Sequence, residues 1–261
     1  MLRRMSKLRH ASPSRAPVVR PMTDPPIGGS DRAIVLASSS PRRRILLGSL
    51  GVRFTVRISD LDETLTAPAT PAAYVESLAR QKAELVAWEA APLEDDATDR
   101  PGSLVIGADT AVTLPGDILG KPADEAAAAA MLSRLRGRDH DVLTAVALVD
   151  TVSRAVESRV VTTTVHMRDF DDETMAAYIA TGEPFDKAGG YGIQRGTRGL
   201  IAGFTGCYTN VVGLPLCEIA ALLRGASIAL GGEPPYCLLP DGRPCPHALT
   251  LGLEPGGPLM G

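Results

Sequence analysis

A turn rich in serine and arginine is the first segment of the chain whose residue types could do chemistry. Residues 38–44 read SSSPRRR and follow a short apolar stretch. Ser40 is a favourable helix N-cap and Pro41 a favourable first helical residue, so we expect a helix to begin here. A helix N-terminus attracts phosphate, and a bound anion would offset the cost of placing Arg42 and Arg43 against the helix dipole. Two solvated arginines on an ordinary capped helix are the alternative.

Lys82 is a second candidate because it interrupts the apolar face of a predicted helix. Residues 71–90 carry apolar side chains at helical spacing, and Lys82 falls on that face between Leu78 and Leu85. An inward lysine either extends along the apolar surface to reach solvent or meets an anion. Burial of its charge without a partner would be costly.

Carboxylates follow two of the predicted strands. Asp109 ends an apolar strand and is followed by Thr110, and Asp60, Asp62 and Glu63 follow another strand. Ligands of α/β proteins usually bind at strand ends, which makes these side chains candidates for a site. Carboxylate oxygens suit Mg²⁺ or Mn²⁺, the ions that accompany phosphate substrates. Taken alone, Asp60 and Asp62 are typical turn residues.

Several well-known motifs are absent from the sequence. Residues 120–122 (GKP) do not form a P-loop, because the glycine spacing is wrong and Pro122 stands where a serine or threonine is required. The four cysteines are too few and too irregularly spaced for a disulfide framework. Cys237, Cys245 and His247 match no common zinc spacing, so we do not expect a zinc site.

The predicted elements alternate between strands and helices. In chain order they are a strand at 34–37, a helix from Pro41, a strand at 52–58, a helix at 71–90, a strand at 104–106, a helix from about 123 to Gly137, paired strands at 142–149 and 159–168, a helix at 171–181, a glycine-rich stretch at 188–206 and a helix at 214–224. This order indicates an α/β protein with a mixed β-sheet flanked by helices.

Length and composition place most of the 261 residues in a single domain. Residues 1–30 read as a disordered basic tail or a transit peptide, residues 31–225 as the domain, and residues 226–261 as a loose tail. The first 23 residues carry six basic and no acidic side chains, so the remainder has a net charge of −9. An acidic body argues against nucleic acid, and the absence of a long apolar run argues against a membrane span. The cysteine usage favours the cytoplasm, or an organelle if the first 30 residues are a transit peptide.

Taken together and in this order, the candidate segments resemble the Maf family of nucleoside triphosphate pyrophosphatases, which is related in fold to the inosine triphosphate pyrophosphatases. The resemblance spans about residues 33–225. The matching segments are Leu36–Arg44, Glu63, Lys82, Gly107–Thr110, Gly120–Pro122, Asp186–Gln194 and Asn210–Leu216. The resemblance implies a sheet with a central cleft, and cleavage of a nucleoside triphosphate between its α and β phosphates with a divalent metal, Mg²⁺ or Mn²⁺.

The resemblance also assigns roles to residues. Asp109, Glu63 and Lys82 are expected to be catalytic, and Glu63 and Asp109 to hold the metal. Asp109 either draws a proton from water or holds the ion that activates the water. The expected substrate-binding residues are Ser38, Arg42, Arg43, Thr110, Lys121, Asp186, Lys187 and Gln194.

The segment that begins at Asp186 is similar to that of the family branch acting on dTTP and UTP. Arg42, Thr110 and Gln194 would then set base preference, since a glutamine amide can pair with both edges of a pyrimidine. The tripeptide at 207–209 departs from the family pattern and could alter that preference. A homodimer is the family-based expectation. The alternative function is a non-catalytic nucleotide-binding regulator of cell division.

Overall fold

The chain folds around a seven-stranded mixed β-sheet. The computed structural model describes residues 32–61, 70–89, 102–194, 199–231 and 237–251. The strands are β1 (Ile34–Ala37), β2 (Thr55–Arg57), β3 (Leu104–Leu114), β4 (Asp117–Leu119), β5 (Asp139–Asp150), β6 (Val156–Met167) and β7 (Ile201–Thr205). The order is β2-β1-β3-β5-β6-β7, with β4 paired to β3. Strand β1 runs parallel to β2 and β3, and the other pairs are antiparallel. The predicted α/β class with a mixed sheet is confirmed.

Helices pack on both faces of this sheet. They are α1 (Pro41–Gly48), α2 (Pro71–Glu89), α3 (Glu125–Leu135), α4 (Asp172–Ile179), α5 (Tyr208–Val212), α6 (Leu216–Gly225) and α7 (Pro246–Thr250). The caps follow from the sequence, because the side chains of Ser40, Asp124 and Asp171 each accept the N–H three residues later. None of the described helices is both long and apolar enough to span a bilayer.

The two faces of the sheet have different cores. Helix α2 packs through Ala79 and Ala83, both fully buried, against a face of the sheet that includes Ala145 and Ala147. Helix α6 and the first strands share a larger aliphatic core on the other face, which includes Leu36, Ile106 and Leu223. Small side chains on the α2 face let that helix approach the strands closely, and this closeness determines the position of Lys82.

The structure differs from the sequence-based expectations in several elements. Strand β2 is shorter and β3 much longer than predicted, and β7 lies within the glycine-rich stretch at 188–206, for which the sequence predicts no strand. Strand β7 forms because β6 offers it an edge, with His166 paired to Gly203. Short edge strands of this kind depend on a partner distant in sequence, so local composition does not reveal them.

A further difference concerns the C-terminal segment, for which the sequence favours a loose tail. Its described parts, residues 226–231 and 237–251, pack on the body of the protein. Gly231 donates its N–H to the Leu50 carbonyl at 2.9 Å, and Cys237 and Cys245 are fully buried. The expected basic tail at 1–30 lies outside the described residues.

Candidate active site

A cleft opens where β1 ends beside β3. Strand β1 pairs with β3 as far as Gly107, and β4 takes up the same edge of β3 only at Val112. Residues 108–111 therefore lack a strand neighbour on this side among the described residues. The gap admits a cavity of about 490 Å³. An opening beyond the carboxyl end of a strand is the usual ligand position in α/β sheets.

The cleft collects the residues expected from the sequence. Ten of the eleven predicted site residues line it, namely Ser38, Arg42, Arg43, Lys82, Asp109, Thr110, Lys121, Asp186, Lys187 and Gln194. The eleventh, Glu63, lies outside the described residues. The lining includes five cationic side chains and two carboxylates among the described residues, so the cleft suits a polyanion.

Asp109 and Lys82 form an ion pair in this cleft. The Lys82 Nζ lies 2.6 Å from the Asp109 Oδ1, and both side chains are only 12% exposed. Lys82 is thus directed inward to an anion, as one of the two sequence interpretations predicts. Gly107 allows this pair to form, because a Cβ at that position would lie 2.1 Å from the Ala79 carbonyl oxygen on α2. The missing side chain brings α2, and with it Lys82, against β3.

Thr110 faces the opposite side of the sheet from Asp109, because successive residues of a strand alternate. There its hydroxyl accepts a hydrogen bond from the Arg43 Nη2 at 3.1 Å. It lies 2.9 Å from the Thr144 hydroxyl, which donates to the Asn210 carbonyl. Because Thr144 donates its only hydroxyl hydrogen to Asn210, the Thr110 hydroxyl is the donor in its bond with Thr144. The chain of bonds gives each hydroxyl a fixed orientation.

Arg43 serves as a brace between three elements. Its Nε donates to the Gly213 carbonyl at 2.8 Å, and its Nη1 lies 3.4 Å from the Ser38 Oγ. The guanidinium thereby joins the turn before α1, strand β3 and the loop after α5. Thr144 and Asn210, which complete this network from the interior, were not singled out by the sequence as interacting residues. A fork-shaped guanidinium suits several fixed acceptors at once.

Arg42 and Lys187 meet across Asp186 at the mouth of the cleft. The Arg42 Nη1 lies 2.5 Å from one oxygen of Asp186, and the Lys187 Nζ lies 2.7 Å from the other. Partial burial acts to raise the pKa of Asp186, but the hydrogen bonds from Lys187 and Arg42 outweigh it and hold the pKa below its usual value. Asp186 therefore holds two cations at the mouth of the cleft.

A buried pair supports the glycine-rich side of the cleft. The Tyr191 hydroxyl lies 2.5 Å from the His140 Nε2, and Tyr191 lines the cleft. Burial lowers the pKa of His140 to about 4, so the ring is neutral near pH 7 and shares a single hydrogen bond with the tyrosine hydroxyl. Gly189, in the same loop, has a φ of 73° and would clash with Val112 if it carried a Cβ. This contact holds the loop against β3.

These features define an α/β protein with a cationic cleft that binds a phosphorylated polyanion beside a paired carboxylate. The chain belongs to the Maf-like protein family, whose sequence model matches residues 33–226. The resemblance inferred from the motifs is thereby confirmed.

Curated relatives agree with this assignment. A dTTP/UTP pyrophosphatase of Pelotomaculum thermopropionicum is 48% identical over 193 residues, which cover 74% of this chain and 96% of the relative. Proteins of the same description from Myxococcus xanthus and Moorella thermoacetica are each 48% identical, over 76% and 77% of this chain and 94% and 98% of their own lengths. The family match ends at residue 226, so residues 237–251 lie beyond it.

Proposed function

We propose that this protein hydrolyses dTTP and UTP between the α and β phosphates and releases the nucleoside monophosphate and pyrophosphate. The observation that carries the proposal is the Lys82–Asp109 pair, which places a carboxylate and a cation together in a cleft lined by further cations. The three relatives described above bear the name of this activity and match this chain over nearly their whole length.

The phosphates bind to the cations of the cleft. Arg42 and Lys187 meet at Asp186, and Lys121 lies on the wall formed after β4. A triphosphate that enters draws Arg42 and Lys187 from a single carboxylate to its own oxygens, which match a guanidinium fork bidentately. Lys82 stabilises the negative charge that develops on the reacting phosphate.

Asp109 acts on the water that attacks. The new bond joins the water oxygen to the α phosphorus, and the bond from that phosphorus to the bridging oxygen breaks. Pyrophosphate leaves with the bonding electron pair, and the water proton passes to the Asp109 carboxylate. A carboxylate has about four lone-pair positions, so it can accept from Lys82 and from water together.

The same donor set fits a divalent cation. Asp109 offers a carboxylate oxygen beside the phosphate-binding cations, and oxygen ligands of this type are those that Mg²⁺ and Mn²⁺ prefer. We assign the ion to Asp109 together with Glu63. When bound, it would neutralise phosphate charge and lower the pKa of a bound water.

Base selection is assigned to Gln194 and Thr110, together with Arg42. Gln194 lines the cleft on the glycine-rich side, and Thr110 is oriented by the bonds described above. An amide offers one acceptor and two donors, which complement the O4 and N3–H edge shared by uracil and thymine. A homodimer in the cytoplasm is part of the same proposal, and light scattering on the purified chain measures the oligomeric state.

A substrate panel tests the proposed function. Purified protein with Mg²⁺ or Mn²⁺ is given dTTP, UTP, CTP, GTP, dATP and 7-methyl-GTP, and both pyrophosphate and phosphate are measured. The proposal expects dTTP and UTP to be the best substrates and pyrophosphate to be released. A clear preference for a purine or for 7-methyl-GTP, or release of phosphate alone, would contradict it. Tight binding of dTTP without turnover under either metal would favour the regulator instead.

A further inference from the structure

All four cysteines of the chain meet at one point in the aliphatic core beneath α6. Their sulfur atoms lie within 4.8 Å of one another, and the Sγ atoms of Cys207 and Cys237 are 3.7 Å apart. The four residues, which are Cys207, Cys217, Cys237 and Cys245, are each fully buried. We propose that they bind one Zn²⁺ as a closed structural site.

The spacing of the sulfurs fits tetrahedral coordination. A Zn–S bond is about 2.3 Å, so two sulfurs of a tetrahedral site lie about 3.8 Å apart. The Cys207–Cys237 separation agrees with that value. An iron–sulfur cluster would need room for several metal atoms between the sulfurs, which this compact group does not provide. Two disulfides would pair the sulfurs two by two, whereas here all four converge.

The surroundings suit a structural ion. The four sulfurs belong to an apolar core that also contains Ile219 and Ala248, so water does not reach them. Four thiolate ligands without an open position are typical of zinc sites that support folding rather than catalysis.

Thr209 supplies a hydrogen bond of the kind that supports metal ligands. Its hydroxyl oxygen accepts the N–H of Leu216 at 3.1 Å. The same oxygen lies 3.3 Å from the Cys207 Sγ and 3.2 Å from the Cys237 Sγ. Its proton is therefore available to a sulfur, and donation to a ligating thiolate orients the ligand and moderates its charge.

The cluster joins the part of the chain that matches the family to a part that lies beyond the match. Cys207 and Cys217 lie within the family match at 33–226, whereas Cys237 and Cys245 lie beyond it. Besides its cysteines, the stretch 237–251 contacts the domain through the buried Ala248 and through a hydrogen bond between His247 and Glu218. A bound ion explains how so short a segment stays packed on the domain.

The ion would also support the cleft. Cys207 and Cys217 flank α5 and Gly213, and the Gly213 carbonyl accepts from the Arg43 Nε. One wall of the cleft is thus held at both of its ends by ligands of the proposed ion. The inference rests on the sulfurs alone and holds whatever the substrate of the cleft is.

Metal analysis of the full chain tests the proposal. The protein is purified without chelators or a histidine tag, and its zinc content is measured by inductively coupled plasma mass spectrometry. We expect one zinc per chain in the wild type and near none in Cys237→Ser and Cys245→Ser. Arg243→Ser, an exposed change in the same tail, is the matched control and should keep the ion. Chelation or either serine variant should lower the Tm by about 5–10 °C.

Two further measurements on the wild type test the proposal even if the serine variants do not fold. The wild type, denatured with chelator, should show four free thiols, and replacement of zinc by Co²⁺ should give the absorption of a tetrahedral thiolate site. Metal-free protein with four free thiols would overturn the proposal, as would one or two disulfides. A stoichiometric iron content would overturn the assignment to zinc.

Discussion

The cleft and the four-cysteine cluster both include residues of the segment at 207–217, and they differ in exposure and in charge. The cleft is open and charged, and ion pairs with Asp186 and Asp109 hold three of its cations in place. The cluster is fully buried in an apolar core. The residues proposed to act on the substrate thus lie in one region and the residues that hold the C-terminal segment in another, and the segment at 207–217 connects the two. Changes to the cleft should therefore act mainly on turnover, and changes to the cluster mainly on stability.

The largest effect is expected from Asp109→Asn. An amide keeps the shape of the side chain but cannot accept the proton of water, so turnover of dTTP should fall by about a thousandfold or more. Binding of dTTP should change by only a few-fold. Single-turnover kinetics and calorimetry measure the two quantities. Asp117→Asn, a surface carboxylate paired with Arg134, is the control and should behave as wild type. An active Asp109→Asn protein would remove Asp109 from the mechanism.

Lys82→Ala comes next, with a loss of about tenfold to a thousandfold in rate, because a preorganised positive contact is deleted. Its stability should also fall, since Asp109 is left buried without this partner. Adding Asp109→Asn to Lys82→Ala should restore part of that stability, which urea unfolding of the two single variants and the double variant measures as a coupling free energy.

Arg80→Ala is the matched control for Lys82→Ala, because Arg80 lies on the same helix in an exposed pair with Glu84. It should leave rate and stability nearly unchanged. Full activity in Lys82→Ala would show that the Lys82–Asp109 pair has no part in turnover.

A smaller loss is expected from Gly107→Ala, which touches neither substrate nor proton. The added Cβ would lie 2.1 Å from the Ala79 carbonyl, so α2 must shift away from β3 and carry Lys82 with it. We expect about a tenfold loss of rate and a cost of about 1–3 kcal/mol in unfolding free energy. Gly225→Ala is the control, because a Cβ there meets nothing within 4 Å. Equal behaviour of the two variants would contradict the account of how Lys82 is positioned.

The smallest effect on turnover is expected at His140, which supports the cleft from the interior. Its folded pKa is about 4 against an ordinary 6.5, so the unfolded chain binds the proton first as the pH falls. The contribution to stability is present above pH 6.5 and is lost towards pH 4, by about 3 kcal/mol. Replacing His140 with Gln should remove that part of the acid sensitivity, measured by urea unfolding at several pH values. An unchanged pH slope would show that His140 titrates normally in the fold.

The sequence predicted the cleft better than it predicted the cluster, for physical reasons. Lys82 was visible because a charge on an apolar helix face is unusual, and Asp109 because it follows an apolar strand within a family motif. What the sequence did not reveal is that Arg43 donates to three fixed acceptors within the protein, since its partners Thr110 and Gly213 are distant along the chain.

The cysteine cluster was missed because its ligands have no local spacing that marks a zinc site. Cys237, Cys245 and His247 were considered as a set, but His247 pairs with Glu218, and the remaining ligands come from Cys207 and Cys217. Only the packing of α6 and the C-terminal segment brings the sulfurs together. For the same reason, the sequence does not indicate that the described residues of the C-terminal segment pack on the domain.

The most direct test of the central claim follows the oxygen of water into the products. Hydrolysis of dTTP or UTP is run in ¹⁸O-labelled water, and the nucleoside monophosphate and pyrophosphate are analysed by mass spectrometry. Attack at the α phosphorus by a water beside Asp109 predicts one labelled oxygen in the monophosphate and none in the pyrophosphate. Label in the pyrophosphate would mean attack at the β phosphorus and would contradict the proposed reaction.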